Sequence, residues 1–213
     1  MSWRDHSGGR RGYHHGNLRE ALVRAALDLI AEFGPVGFSF AEAARRAGVS
    51  AAAPYRHFRD RDALMVEIAR RGFEHLADDL SAAWNGEGSG PLNGLKAMGN
   101  AYLAFARREP AYYAAMFESG ITASGDAGLQ REGDRAFSAL KEAAVAVSHL
   151  LPPAKRAPPQ MMSLHIWAMS HGTAALFGAG KGRPAPVSPE ELLEASVLIY
   201  LQGLGLGTAS GEP

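Results

Sequence analysis

Eight consecutive residues, Ala51-Ala52-Ala53-Pro54-Tyr55-Arg56-His57-Phe58, combine small, aromatic and cationic side chains in a pattern suited to reading a nucleic acid. Three alanines permit close approach to a groove, and their methyls can meet thymine methyls. Tyr55 and Phe58 are placed to pack inward or against a partner's backbone, with Arg56 and His57 directed elsewhere. Residues 1–61 carry ten arginines against six acidic residues, a surplus of four positive charges. The other 152 residues carry 12 basic and 16 acidic side chains, so the whole chain of 213 residues is neutral. A basic region beside an acidic remainder suits two regions with different partners. Ordinary surface scatter accounts for the charge alone equally well.

Other chemistries find no support. With no cysteine in the chain, disulfides, thiolate zinc sites, iron–sulfur clusters and cysteine nucleophiles are excluded together. There is no His-Glu-x-x-His, no Gly-x-Ser-x-Gly and no Ser/His/Asp set, so no enzyme is expected. Gly203-Leu204-Gly205-Leu206-Gly207 follows a helical pattern rather than a strand, and Gly178-Ala179-Gly180-Lys181-Gly182 lacks the Ser/Thr of a phosphate loop. His6, His14 and His15 have no carboxylate partner nearby, so neither a metal site nor a cofactor is expected. No apolar run approaches the roughly 18 residues of a membrane span, and the N-terminus is polar, which points to the cytoplasm.

Those eight residues need a scaffold, and helix start and stop signals supply one. Asn17 with Glu20 begins a helix whose apolar positions Leu18, Leu22, Ala25, Ala26, Leu29, Ile30 and Phe33 share one face, and Gly34-Pro35 ends it. Ser39, with Glu42 three residues on, begins a second helix of about nine residues that stops near Gly48. Ser50 is the expected cap of a third short helix, Ala51 to Phe58, and a fourth runs from Asp62 to about Trp84. Two short helices joined by Ala47-Gly48-Val49-Ser50 have the proportions of a helix-turn-helix. Neither short helix is stable alone, so the first and fourth must serve as a platform. Beyond Trp84 only helices follow, at about 92–108, 111–118, 129–150, 160–177 and 190–204. The expected class is all-α with about nine helices: a basic arm and helix-turn-helix domain over 1–61, and a larger helical domain over 62–213.

The stretch from Tyr13-His14-His15-Gly16-Asn17-Leu18-Arg19 through Ala43-Ala44-Arg45-Arg46-Ala47-Gly48-Val49-Ser50 to Tyr55-Arg56-His57-Phe58-Arg59-Asp60-Arg61-Asp62-Ala63-Leu64 resembles the DNA-binding domain of TetR-type transcriptional regulators. Trp167 with His171-Gly172 resembles the Trp-His-Gly type of C-terminal domain in one branch of that family. The resemblance implies that Ala51–Phe58 lies in the major groove, with Ser50 at its start and Ala51, Ala52 and Arg56 facing base edges. It implies backbone contacts from Tyr55, His57 and Arg61, and a phosphate at the hydroxyl and N–H of Ser39. Arg45 and Arg46 add phosphate contacts, although either can equally be part of a solvated face. Arg4, Arg10 and Arg11 lie in an arm able to enter the minor groove. Many members of the family carry another apolar residue where this chain has Pro54, so base-by-base readout is not carried over.

Tyr102, Phe105, Tyr112, Tyr113, Met116, Phe117, Phe137, Met161, Met162, Trp167, Met169 and Phe177 crowd the C-terminal region, and most such residues form core. The resemblance implies a ligand pocket there for a small apolar or amphipathic effector. Tyr113, Phe117, Trp167 and His171 are its candidate lining; His171 is equally well read as a satisfied interior or dimer-interface histidine. A helix-turn-helix reader needs two half-sites on a palindromic operator, and the last two long helices match where the family builds its homodimer interface. The function implied is a repressor released from double-stranded DNA by its effector. The alternatives are a helical small-molecule-binding protein, and a regulator answering to a protein partner.

Overall fold

A computed structural model describes residues 18–86, 90–121, 125–178 and 186–207, and among them there are eight α-helices and no strand. The Asn17 cap and the arm arginines expected above lie outside the described residues. Helices α1 (Leu18–Phe33) and α2 (Phe40–Arg46) lead into a short 3₁₀ turn (Ala53–Arg56) and then α3 (Arg61–Asn85). The larger region holds α4 (Pro91–Arg108), α5 (Pro110–Phe117), α6 (Ala127–Ser148), α7 (Pro159–Phe177) and α8 (Pro189–Gly203). Four of these five helices start on the proline itself, one residue ahead of the sequence reading. A missing N–H costs nothing at the first helical position, where no intrahelical acceptor exists.

The third expected helix, Ala51–Phe58, is corrected to the 3₁₀ turn Ala53–Arg56. Pro54 explains the difference: it has no N–H to return to the Ser50 carbonyl, so that bond comes from Ala53 N at 3.0 Å instead. Ser50 makes no side-chain cap; the residue at the cap position is Ala52, also without one. The expected helix-turn-helix is thus a seven-residue helix, a turn and one turn of 3₁₀.

The turn itself follows the sequence reading. Gly48 adopts φ 73, a left-handed conformation that a side chain would strain. Gly48 N donates to Arg45 O (3.1 Å) and Val49 N to Ala44 O (3.0 Å), the paired bonds of a Schellman stop. Ser39 and Glu42 form a reciprocal capping box at the head of α2, and Ser188 with Glu191 forms another at α8.

Helix α3 ties the two regions together. At 25 residues it is roughly 37 Å long, using 1.5 Å per residue. Its first half shares a core with α1 through Leu22, Ala26, Leu29, Leu64, Met65 and Ile68. Its second half packs against α6, whose buried Ala136, Ala139, Ala143 and Ala144 let the helix axes approach closely. Helix α5 also lies tight on α3: a Cβ on Gly72 would sit 2.5 Å from Met116 Sδ. No helix among the described residues is long and apolar enough to cross a membrane.

Candidate functional site

The surface built on α2 and the 3₁₀ turn exposes small and cationic groups over a buried backing. Pro54 and Phe58 are buried, and Ala51, Ala52, Tyr55, Arg56 and His57 are exposed. Tyr55 stands edge-on to Phe40 at 5.1 Å, which holds its ring beside the head of α2. Arg45 and Arg56 are exposed and neither forms an ion pair among the described residues. The arrangement offers methyls, a phenol, an imidazole and two exposed guanidinium groups to one partner, as a groove reader requires.

Three of the predicted contact residues are already engaged. Ser39 donates both its N–H (2.7 Å) and its hydroxyl (2.8 Å) to Glu42, so a phosphate there would have to displace that carboxylate. Arg46 holds Glu32 of α1 with two N–H groups, one at 2.8 Å. Arg61 donates Nε to Phe38 O at 3.0 Å and a second N–H to Pro35 O, with its guanidinium 4.8 Å from the Phe38 ring. It lashes the α1–α2 loop to the start of α3. Sequence spacing could not reveal that, because its acceptors are backbone carbonyls more than twenty residues away.

Below this surface lies a charge cluster that joins α1 to α3. The carboxylate of Glu67 is buried and accepts from Arg19 (2.6 Å), Arg70 (3.1 Å) and Arg71 (2.7 Å). Burial pushes this carboxyl upward, but the three guanidinium groups outweigh it and hold the pKa at about 2. Arg71 continues to Glu20 on α1, at 2.7 Å for one of two bonds. The sequence reading missed this cluster: the i,i+3 and i,i+4 spacing of Glu67 to Arg70 and Arg71 is a local signal for it, whereas nothing local ties in Arg19 and Glu20.

The four candidate effector residues meet in the interior of the larger region. Phe117 packs 4.7 Å from His171, 4.9 Å from Tyr113 and 6.4 Å from Trp167, centroid to centroid, and Tyr113 stacks on His171 at 5.7 Å. Trp167 and His171 lie one turn apart on α7, and Tyr113 and Phe117 one turn apart on α5. Tyr102, Phe73 and Phe137 complete the cluster. Its polar centre is His171 Nδ1, with the Tyr113 hydroxyl at 2.9 Å and the Tyr102 hydroxyl at 3.1 Å. Burial lowers the His171 pKa, only partly offset by Glu118, so the imidazole is neutral and Nδ1 can accept. Burial likewise pushes Tyr113 up to about 12 and Tyr102 higher still. His171 is therefore a half-buried histidine with one nitrogen satisfied. Tyr102, visible as an aromatic but not singled out, belongs to the same polar centre.

Helix α5 has a second face, which packs against α1. Tyr112 on α5 stands 5.1 Å from the His75 ring and lies in the field of Arg71, itself bound to Glu20 of α1. Contacts thus run from α5, which carries Tyr113 and Phe117, to α1, on which the helix-turn-helix rests. Among the described residues, no group of three or more His, Asp or Glu side chains is placed to hold a metal ion.

Residues 22–68 match the family described as bacterial regulatory proteins, tetR family, and residues 95–199 match the tetracyclin repressor-like C-terminal domain. Among curated proteins, none matches the chain. Among solved structures, the chain is similar to a protein with unknown function from Rhodococcus sp. RHA1, with 28% identity and TM-score 0.76, covering 91% of this chain and 98% of that one. The TetR family transcriptional regulator PfmR from Thermus thermophilus shares the fold at 19% identity and TM-score 0.66, covering 85% and 97%. AibR, solved with isovaleryl coenzyme A and operator DNA, shares it at 19% identity and TM-score 0.67, also covering 85% and 97%.

Proposed function

This chain belongs to the TetR family of bacterial regulatory proteins and carries that family's DNA-binding N-terminal domain, and from that premise we propose that it is a homodimeric repressor released from a palindromic operator by a small molecule. The observation that carries this reading is the exposed turn of Ala51, Ala52, Tyr55, Arg56 and His57, held over buried Pro54 and Phe58 and joined through α5 to an interior aromatic cluster. Residues 1–61 read the operator; residues 62–213 bind the effector and the second copy. The resemblance of Trp167, His171 and Gly172 to the Trp-His-Gly type of C-terminal domain supports assigning the chain to that branch.

Ala51, Ala52 and Arg56 face base edges, and Arg45, Tyr55 and His57 face the phosphate backbone. Arg46 and Arg61 position this surface, given the bonds they already make. The second copy packs on the outer faces of α7 and α8, where Leu164 is 46%, Leu176 72% and Ile199 68% exposed. The effector enters the aromatic cluster, with Tyr113, Phe117 and Trp167 around its apolar part and His171 as its hydrogen-bond partner. Displacing Tyr113 or Phe117 moves α5, and α5 moves α1. Full release needs an effector that favours the DNA-incompetent state by about 5 kcal/mol.

Selection from a random DNA pool, followed by titration of the winning site at several salt concentrations, tests the reading. The expected result is an inverted repeat whose affinity falls steeply with salt. Failure to enrich any sequence would remove the DNA-reading function. Short acyl thioesters are the first effectors to add, because AibR is bound to isovaleryl coenzyme A.

A further inference from the structure

A cavity of about 150 Å³ opens between α4, α7 and α8, on the far side of α4 and α7 from the His171 cluster. Its floor is apolar and buried: Leu95, Ile166, Leu193 and Leu201 are each less than 5% exposed. Its rim is polar, with Asn93, Asn100 and an ion pair between Lys96 Nζ and Glu194 at 2.6 Å. The wall behind the floor is thin. Leu95, Gly99, Ile166 and Ser170 line this cavity on one side and, on the other, a void of about 10 Å³ that reaches Tyr102 and Trp167. Space on both sides of a wall is uncommon in a packed interior and leaves those side chains room to shift.

We propose that this groove is a small-molecule site separate from the His171 cluster, and that it takes an uncharged amphiphile. Size sets the apolar part: a dry apolar cavity of about 150 Å³ holds a single benzene ring, so one ring or a short alkyl chain fits. Charge sets the head group. The rim's one cation and one anion already neutralise each other, so a charged head would have to break that pair. A hydroxyl or amide head needs only the rim amides and the outer edge of the pair. The occupant lies against the wall shared with Trp167, so filling the groove presses on the aromatic cluster from behind. Binding itself does not depend on the repressor reading; only its consequence for DNA rests on that reading.

The full-length chain tests this with benzyl alcohol and the n-alkanols from butanol to octanol, against hexanoate and hexylamine as charged probes. The readouts are the melting temperature and tryptophan emission in a Trp3→Phe, Trp84→Phe background, where Trp167 alone reports. The alcohols should bind saturably, change the Trp167 emission, and raise Tm by about 4 °C at ten times their Kd. The charged probes should bind at least about tenfold more weakly, the factor that about 1.4 kcal/mol of head-group mismatch produces. Gly99→Leu should abolish the effect, because even a Cβ there meets Leu193 Cδ2 at 3.1 Å. Leu92→Trp, at the exposed rim, does the same should the first variant not fold; it adds a tryptophan, so it is read by the melting temperature alone. Absence of saturable binding, preference for a charged probe, or persistence of binding in whichever variant folds would each overturn the proposal. So would a groove closed by a second copy, seen as dimer dissociation in the variants with no probe bound to the parent. A wild-type chain that binds no operator, yet binds the alcohols in this pattern, would sink the repressor reading and leave the groove standing.

Discussion

The surface around Arg56 and the interior around His171 put their polar groups under opposite solvation. On the surface, Arg45, Arg56 and His57 are exposed, and the shape beneath them comes from elsewhere. The 3₁₀ turn buries only Pro54 among its own residues, and its position depends on α1 and α2, whose connecting loop the Arg61 strut holds. Around His171 the relation reverses. The rings support one another, and two phenols converge on one imidazole nitrogen in an environment that keeps it neutral. A surface meant for an anionic polymer must keep its charges hydrated until the partner arrives, since burying them unpaired is costly. Around His171, where burial disfavours charge, the polarity is held in hydrogen bonds among neutral groups.

Four experiments press on this contrast, and the largest effect is expected where both regions depend on a second copy. Leu164→Glu combined with Ile199→Glu should yield a folded monomer whose operator affinity drops about a thousandfold, to the non-specific level. Sedimentation paired with DNA titration checks it, and a variant that stays dimeric would move the interface off α7 and α8. Next comes the junction of the two regions. Glu67→Ala leaves three partly buried arginines without their shared carboxylate and should cost about 3 kcal/mol in urea unfolding.

Smaller effects separate the exposed arginines. Arg56→Ala should weaken the selected operator by about 2 kcal/mol and relax preference at one base position. Arg45→Ala should instead weaken all sequences alike and reduce the salt slope by about 1. If the two variants behave alike, the division between base and phosphate contacts fails.

The smallest effect belongs to His171. Its folded pKa lies below 6.5, so the unfolded chain takes up its proton first as pH falls. Its contribution to stability is intact above pH 6.5 and is lost as pH drops from there toward the folded value. Melting curves between pH 7.5 and 5 should show a decline that His171→Phe reduces; an unchanged slope would place the imidazole in water.

Much of this was legible from local chemistry. The Ser39–Glu42 box, the glycine stop at Gly48 and the apolar face of α1 are short-range patterns whose physics operates within one or two helical turns. The aromatic cluster was legible in membership, since Trp167 and His171, like Tyr113 and Phe117, are four apart on their helices. Its centre was not, because the choice of Tyr102 as second phenol depends on where α4 crosses α7. The alanines of Ala51–Ala53 favour helix, but Pro54 withholds the N–H that an α-turn onto Ser50 needs, so the segment forms a 3₁₀ turn. Arg61 shows the same boundary in its partners: residue type suggested a phosphate, and the fold supplied backbone carbonyls first.

By itself, then, the sequence determined the helical class, the order of the elements and the kind of chemistry each region carries. Periodicity, caps and charge are properties of neighbouring residues and need no fold to be read. Only the tertiary structure decided which cations stay free for a partner, which phenols share His171, and where the packing leaves a groove beside α4. Those outcomes depend on side chains dozens of residues apart meeting across helix interfaces, and no local spacing encodes that meeting.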